Sequence, residues 1–131
     1  MNHENPAFNE VLEAHVGIQQ WLSGEAPTDQ LARLLARFSP RYSMIGLSGQ
    51  MLDYPGLQAL FAQAHGKREG LQIRIDQLQE VACGPSLWVV SYREWQRDAQ
   101  GAQSLRRSTV VFERGNDTLQ WLHLHETPAS A

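Results

Sequence analysis

At 131 residues, 42% hydrophobic and 19% charged, the chain can bury a core of its own and is too apolar for a disordered tail. Its net charge of −3 argues against a general nucleic-acid or anionic-membrane surface, and a single cysteine, Cys83, excludes an internal disulfide. The opening Met-Asn-His-Glu-Asn-Pro lacks the basic and apolar regions of a signal peptide, and no apolar run approaches membrane-spanning length. One cytoplasmic domain over residues 1–131 is therefore expected, without nucleic-acid or membrane partners.

The first apolar stripe is Phe8, Val11, Leu12, His15, Ile18 and Leu22, at the three- and four-residue spacing of one helix face. Asn5-Pro6 marks its start and Ser23-Gly24 its end. His15 lies within the stripe, either as a hydrogen-bonded core residue or as part of a ligand cavity. A second, short helix is expected from an N-cap at Thr28 through Leu31, Leu34, Leu35 and Phe38, stopped by Ser39-Pro40. Arg41–Leu47 reads as a short strand with Tyr42, Met44 and Gly46 on one side. Asp53 caps a third helix, with Pro55 in its first turn and an inner face of Leu57, Leu60, Phe61 and Ala64. His65 beside that stripe reads as a surface histidine.

After Gly70 the period changes from helical to two. Leu71, Ile73 and Ile75 alternate with polar residues, then the phase slips before Leu78 and Val81, which places a β-bulge near Asp76-Gln77. Leu87–Gln96 is the next strand. A long hairpin from Ser104 to Glu126 ends the chain. Three helices followed by a strongly curved, mixed or antiparallel sheet make an α+β fold.

The turns suggest a register. A three-residue loop, Ala99-Gln100-Gly101, sets Glu94 opposite Arg106, Tyr92 opposite Ser108, Val90 opposite Val110 and Trp88 opposite Phe112. A two-residue turn at Gly115-Asn116 sets Phe112 opposite Leu119, Ser108 opposite His123 and Arg106 opposite His125. One sheet face then has an apolar zone (Trp88, Phe112, Trp121) and a polar zone (Tyr92, Glu94, Arg106, Ser108, His123, His125). Helices over it would enclose a greasy cavity with a polar end, as small-molecule sites need. The other face carries Val89, Trp95, Val111, Leu122 and Leu124 with Arg93, Arg107 and Glu126. It is too apolar for water and calls for a second copy of the chain.

Trp21-Leu-Ser-Gly24, Phe38-Ser-Pro40, Leu60-Phe61, His65-Gly66, Gly70-Leu71, Tyr92-Arg-Glu94, Arg107-Ser-Thr109 and Trp121-Leu-His-Leu-His-Glu-Thr127 carry a resemblance. Over nearly its whole length the chain resembles the nuclear transport factor 2-like superfamily, which includes ketosteroid isomerases, SnoaL-type polyketide cyclases and scytalone dehydratase. It resembles bacterial members of unassigned function most. The resemblance implies a cystatin-like topology, a cone-shaped pocket between helices and sheet, and dimerisation through the sheet.

The residues constrain the chemistry less. The steroid-isomerase pattern needs a carboxylate base with a tyrosine and a protonated Asp as donors, and the early strand around Tyr42 offers no acid. Glu94 can act as base and Tyr92 as donor, or Glu94 can pair with Arg106 as a structural salt bridge. His123 and His125 fall on one strand face. They suit acid–base work with Tyr92, zinc or iron binding together with Glu94 or another carboxylate, or hydrogen bonding to Ser108; no third ligand is fixed by sequence and Arg106 beside the pair would oppose a cation, so neither metal nor cofactor is expected. Tyr92, Glu94, His123 and His125 are thus the catalytic candidates. Arg106, Ser108, Trp88, Trp121, Phe112, His15 and Tyr42 are the ligand-binding ones. The ligand expected is a small apolar molecule with a carbonyl or acidic group. The function is cofactor-independent isomerase, cyclase or dehydratase chemistry on it, or, alternatively, a non-catalytic ligand-binding or dimerisation module.

Overall fold

The computed structural model describes residues 5–131; Met1–Glu4, on which the signal-peptide reading of the opening segment partly rests, lie outside them. Helix α1 spans Pro6–Ser23. The Asn5 side chain accepts from the amides of Ala7 and Phe8 at 2.9 and 3.1 Å, and Gly24, at φ 84°, ends the helix with its amide on the Trp21 carbonyl. The deepest residues of α1 are Ala7, Val11, Ala14, His15 and Trp21, whereas Phe8, Ile18 and Leu22 are only partly buried. Alanine at two of the deepest positions lets the helix axis approach the sheet closely.

The second helix is shorter than its spacing predicts. A 3-10 turn at Thr28–Gln30 leads into α2, Leu31–Leu35, and no side chain caps either. Phe38 instead begins strand β1, Phe38–Ile45, which contains Ser39-Pro40. The register of β1 against its neighbour is interrupted between Phe38 and Ser43, so Pro40, which has no amide to donate, sits where the ladder is broken. A three-residue edge strand β2, Met51–Asp53, follows. Asp53 caps α3, Tyr54–Ala64, by accepting from the Gly56 amide at 3.0 Å.

Strands β3 (Gln72–Cys83), β4 (Leu87–Arg97), β5 (Gln103–Gly115) and β6 (Thr118–Ala129) complete a six-stranded sheet of order β2-β1-β6-β5-β4-β3. It is mixed because β1 runs parallel to β6. The predicted bulge is present: β3 breaks register between Asp76 and Gln79, and Gln77 has φ 53°. The β4–β5 register is the predicted one throughout, with Glu94 on Arg106 and Tyr92 on Ser108.

The β5–β6 register is not. Gly115 pairs with Thr118, so the turn is Asn116-Asp117, with Asp117 taking the positive φ of 56°. A Cβ on Gly115 would lie 2.5 Å from Thr118 Oγ1, so any larger residue there would force the Thr118 side chain to move. The pairing then jumps from Phe112–Trp121 to Val111–His123, leaving Leu122 as an extra residue. That bulge reverses the strand's faces beyond Trp121. Leu124 and Glu126 turn into the core; His123 and His125 turn to the outer face.

The core lies between the concave sheet face and the helices. Trp121, Phe112, Val90, Val110 and Val11 are its fully buried centre. The Trp121 ring meets Phe112 edge-on at 5.0 Å and Phe38 at 5.9 Å. Its indole nitrogen donates to Glu10, which also receives Arg37. No helix among the described residues is long and apolar enough to cross a membrane.

Candidate functional site

Five elements bring polar side chains together at one end of the concave face. Helix α1 contributes His15, β1 Tyr42, β4 Tyr92, Glu94 and Gln96, β5 Arg106 and Ser108, and β6 Glu126. All but Arg106 are buried, and the Arg106 side chain is 17% exposed. Strand alternation explains the sets on β4 and β5; the Leu122 bulge explains Glu126.

The hydrogen bonds define two ion pairs. His15 Nδ1 lies 2.7 Å from the Val11 carbonyl and Nε2 lies 3.1 Å from Glu94 Oε1. A carbonyl can only accept, so Nδ1 carries a proton, and the contact of Nε2 with the carboxylate makes the ring an imidazolium. The other Glu94 oxygen accepts from Gln96 Nε2 at 2.7 Å, and Gln96 Oε1 accepts from Arg68 at 2.6 Å. A hydrogen-bonded chain thus runs from exposed Arg68 to buried His15. Arg106 Nη1 reaches the two oxygens of Glu126 at 3.3 and 3.5 Å, long for a charge-assisted bond. Among the described residues three side-chain polar atoms are buried without a protein partner: Tyr92 Oη, Ser108 Oγ and Arg106 Nε. Tyr92 and Ser108 face each other across β4–β5, near enough for Ser108 to temper the rise in the Tyr92 pKa, yet their hydroxyls do not meet in hydrogen-bond geometry.

These environments separate the two carboxylates. Burial would raise Glu94, but the His15 hydrogen bond and charge, then Arg106 and Gln96, outweigh it and hold Glu94 at about 2. Burial likewise opposes charge on His15, and Glu94 with the Val11 carbonyl overcomes it, so His15 is raised. Glu126 is raised above the ordinary range by burial, with Arg106 opposing and Glu94 reinforcing. Tyr92 and Tyr42 are pushed up by burial and by the nearby carboxylates, so both remain phenols.

The predicted site residues divide accordingly. Tyr92, Glu94, Arg106, Ser108, His15 and Tyr42 converge at this polar end, and Trp88, Phe112 and Trp121 line the apolar zone beside it. His123 and His125 do not join them. His123 is half-buried on the outer face, 2.8 Å from the Ser43 hydroxyl, and His125 is exposed opposite Thr109. The predicted ion pair also changes partners: Arg106 reaches Glu126, and Glu94 belongs to His15. His65 is half-buried rather than free, bonded to the Ala26 carbonyl at 2.7 Å, with its ring tilted against Trp21 at 4.4 Å between centroids. Among the described residues no group of three His, Cys, Asp or Glu has a metal-binding arrangement.

Glu126 and Gln96 are the members the predicted register left out. A signal for Glu126 existed: Trp121 and Leu122 are adjacent apolar residues followed by Leu124, the kind of phase slip that marks the β3 bulge. A cleft of about 180 Å³ between α1 and β3, with Leu12, Gln19, Ile73 and Ile75 in its lining, touches the cluster at His15 alone. Gln19 Oε1 closes it by accepting from the Ile73 amide at 2.7 Å.

The fold matches known structures. A crystal structure of an NTF2-like protein of unknown function from Pseudomonas aeruginosa is 41% identical, with a TM-score of 0.90 over 95% of this chain and 98% of that one. The chain belongs to the NTF2-like family. An NTF2-like protein from Cytophaga hutchinsonii, 14% identical with a TM-score of 0.77 over 98% of this chain and all of its own, shares the fold alone. No family model matches. Sucrose-phosphatase 2 from Nicotiana tabacum is 27% identical over 129 residues, 93% of this NTF2-like chain but 30% of the plant protein's length.

Proposed function

We propose that this NTF2-like protein binds a small apolar molecule bearing a carbonyl or acidic oxygen, with that oxygen at the polar end of the concave face. One observation carries the reading: the unpartnered Tyr92 hydroxyl, Ser108 hydroxyl and Arg106 Nε are neighbours in the ladder and all can donate. Unpaired donors in a protein interior are costly and rare, and a shared acceptor oxygen satisfies all three. The apolar body of the ligand then packs against Trp88, Phe112 and Trp121. Since the three atoms have no exposed surface, the ligand enters by parting α1 from β3 along the cleft that Gln19 closes.

For proton transfer the geometry favours Glu126 over Glu94. Glu94 is held as a carboxylate by two donors, whereas Glu126 has only long contacts to Arg106. The likeness to a 30% portion of a longer enzyme favours the second reading, a non-catalytic ligand-binding module. Either reading admits a second copy on the outer face, where Val81 and Leu87 are exposed.

Thermal-shift screening of paired acids, ketones and alcohols tests the pocket, with Tyr92→Phe as control. Stabilisation by acids or ketones that Tyr92→Phe diminishes is the expected result. Ligands whose effects survive in Tyr92→Phe and in Ser108→Ala alike would remove the pocket assignment. Light scattering tests the second copy.

A further inference from the structure

The interior holds a balance of charge that limits what it can admit. His15 and Arg106 supply two positive charges, Glu94 and Glu126 two negative ones, and the cluster is neutral. Tyr42 and Tyr92 complete the titratable groups facing Glu126, from β1 and β4. The unmet demand is for an acceptor at Tyr92 Oη, Ser108 Oγ and Arg106 Nε, and a carboxylate is the strongest acceptor that fits three donors. Adding its charge would leave one uncompensated negative charge in a buried site, which is unfavourable.

One carboxylate can relieve this by taking a proton. Glu94 is the wrong one, fixed by His15 at 3.1 Å and Gln96 at 2.7 Å. Glu126 relies on the Nη1 contacts of the same guanidinium whose Nε an incoming anion would occupy. We infer that the interior binds a carboxylate ligand at Tyr92, Ser108 and Arg106, and that Glu126 takes up one proton from solvent as the ligand binds. The proton forms a Glu126 O–H bond and no other bond changes, so the cluster returns to neutrality. The raised affinity of Glu126 for a proton before any ligand arrives is in keeping with this. The inference rests on the interior being a ligand site.

Calorimetric titration of the full chain with benzoate, hexanoate and octanoate, and with their uncharged amides, tests it. Measured in two buffers of different ionisation heat, acid binding should take up about one proton per site, and affinity should fall about tenfold per pH unit above the titration of free Glu126. Glu126→Gln should bind the acids without proton uptake and without that pH dependence. Acid binding to the wild type with no proton uptake, or uptake that persists in Glu126→Gln, overturns the inference. Equal binding of acids and amides overturns it too, while leaving the ligand site standing. Binding of none of the six removes the ligand site and the inference together. Should Glu126→Gln fail to fold, the carboxyl carbon resonance of isotope-labelled benzoate bound to the wild type decides: an ionised bound ligand supports the inference and a protonated one overturns it.

Discussion

Two clusters on opposite faces of the sheet use nearly the same residue types to different ends. On the outer face, Asp76 accepts from Arg93 Nε and Nη2 at 2.7 Å each, from Trp95 Nε1 at 3.1 Å and from Arg74 at 3.3 Å. The two guanidiniums lie 5.0 and 5.3 Å from the Trp95 ring centre. Both Asp76 oxygens are satisfied, and Arg93 beside them holds that carboxyl at about 2. On the inner face, two carboxylates, an imidazolium and two phenols are buried around the partly exposed Arg106 guanidinium, yet among the described residues three donors have no protein partner. The outer cluster is closed, its acceptors met by its own donors beside the β3 bulge. The buried one is incomplete, and incompleteness in a place where it is costly points to a ligand.

The largest break in that comparison should come from Glu94→Ala. It leaves the His15 imidazolium buried without its counter-charge, and removing one partner of a buried pair costs about 3–5 kcal/mol. Urea unfolding should show the loss undiminished in high salt, because a buried pair is little screened. A loss that salt erases would mean the pair is solvated.

The pH dependence should come next in size. His15 is raised above 6.5, so its pairing stabilises fully below pH 6.5 and the contribution is lost as pH rises through its folded value. Glu94 is lowered from 4.5 to about 2, so its contribution is present above pH 4.5 and lost as pH falls through about 2. Both act together between those limits, and the melting temperature should peak there. Glu126, raised in the fold, favours the folded state most below pH 4.5 and adds to the decline on the alkaline side. His15→Gln should flatten that decline, which differential scanning calorimetry across the pH series would show. Asp76→Asn should have a smaller effect, fading with salt as expected of a solvent-exposed pair; a salt-independent loss would contradict the contrast between the faces.

Much of this arrangement is legible in the sequence, unevenly. The β4–β5 hairpin is readable because its loop ends at Gly101, where φ is 87°, and no bulge follows. The β3 bulge is readable from the break after Ile75. Strand β2 is not, since three residues with Met51 77% exposed carry no pattern. The second helix reads too long because Phe38 continues the helical spacing while serving the sheet. The inner cluster is half legible: alternation on β4 and β5 delivers Tyr92, Glu94, Arg106 and Ser108 correctly. Its β6 side fails because Gly115 looks like a turn glycine, although it pairs with Thr118 as the last residue of β5, and because one extra residue at Leu122 exchanges the faces. A period-two argument has no tolerance for a single insertion.

That insertion yields the smallest effect expected. His125 is exposed, and no protein hydrogen bond to its ring is seen among the described contacts of β6 with β5, so His125→Ala should change stability by no more than about 0.5 kcal/mol. His123→Ala should cost about 1 kcal/mol by removing the bond to Ser43. Neither should alter acid binding or the protons taken up with it, because neither residue reaches the concave face. Urea melts and the paired-buffer titration measure both quantities. If His125→Ala abolished ligand binding while the fold stayed intact, His125 would have to lie inside, and with it the Leu122 bulge, the inward turn of Glu126 and the charge balance built on it would all be wrong.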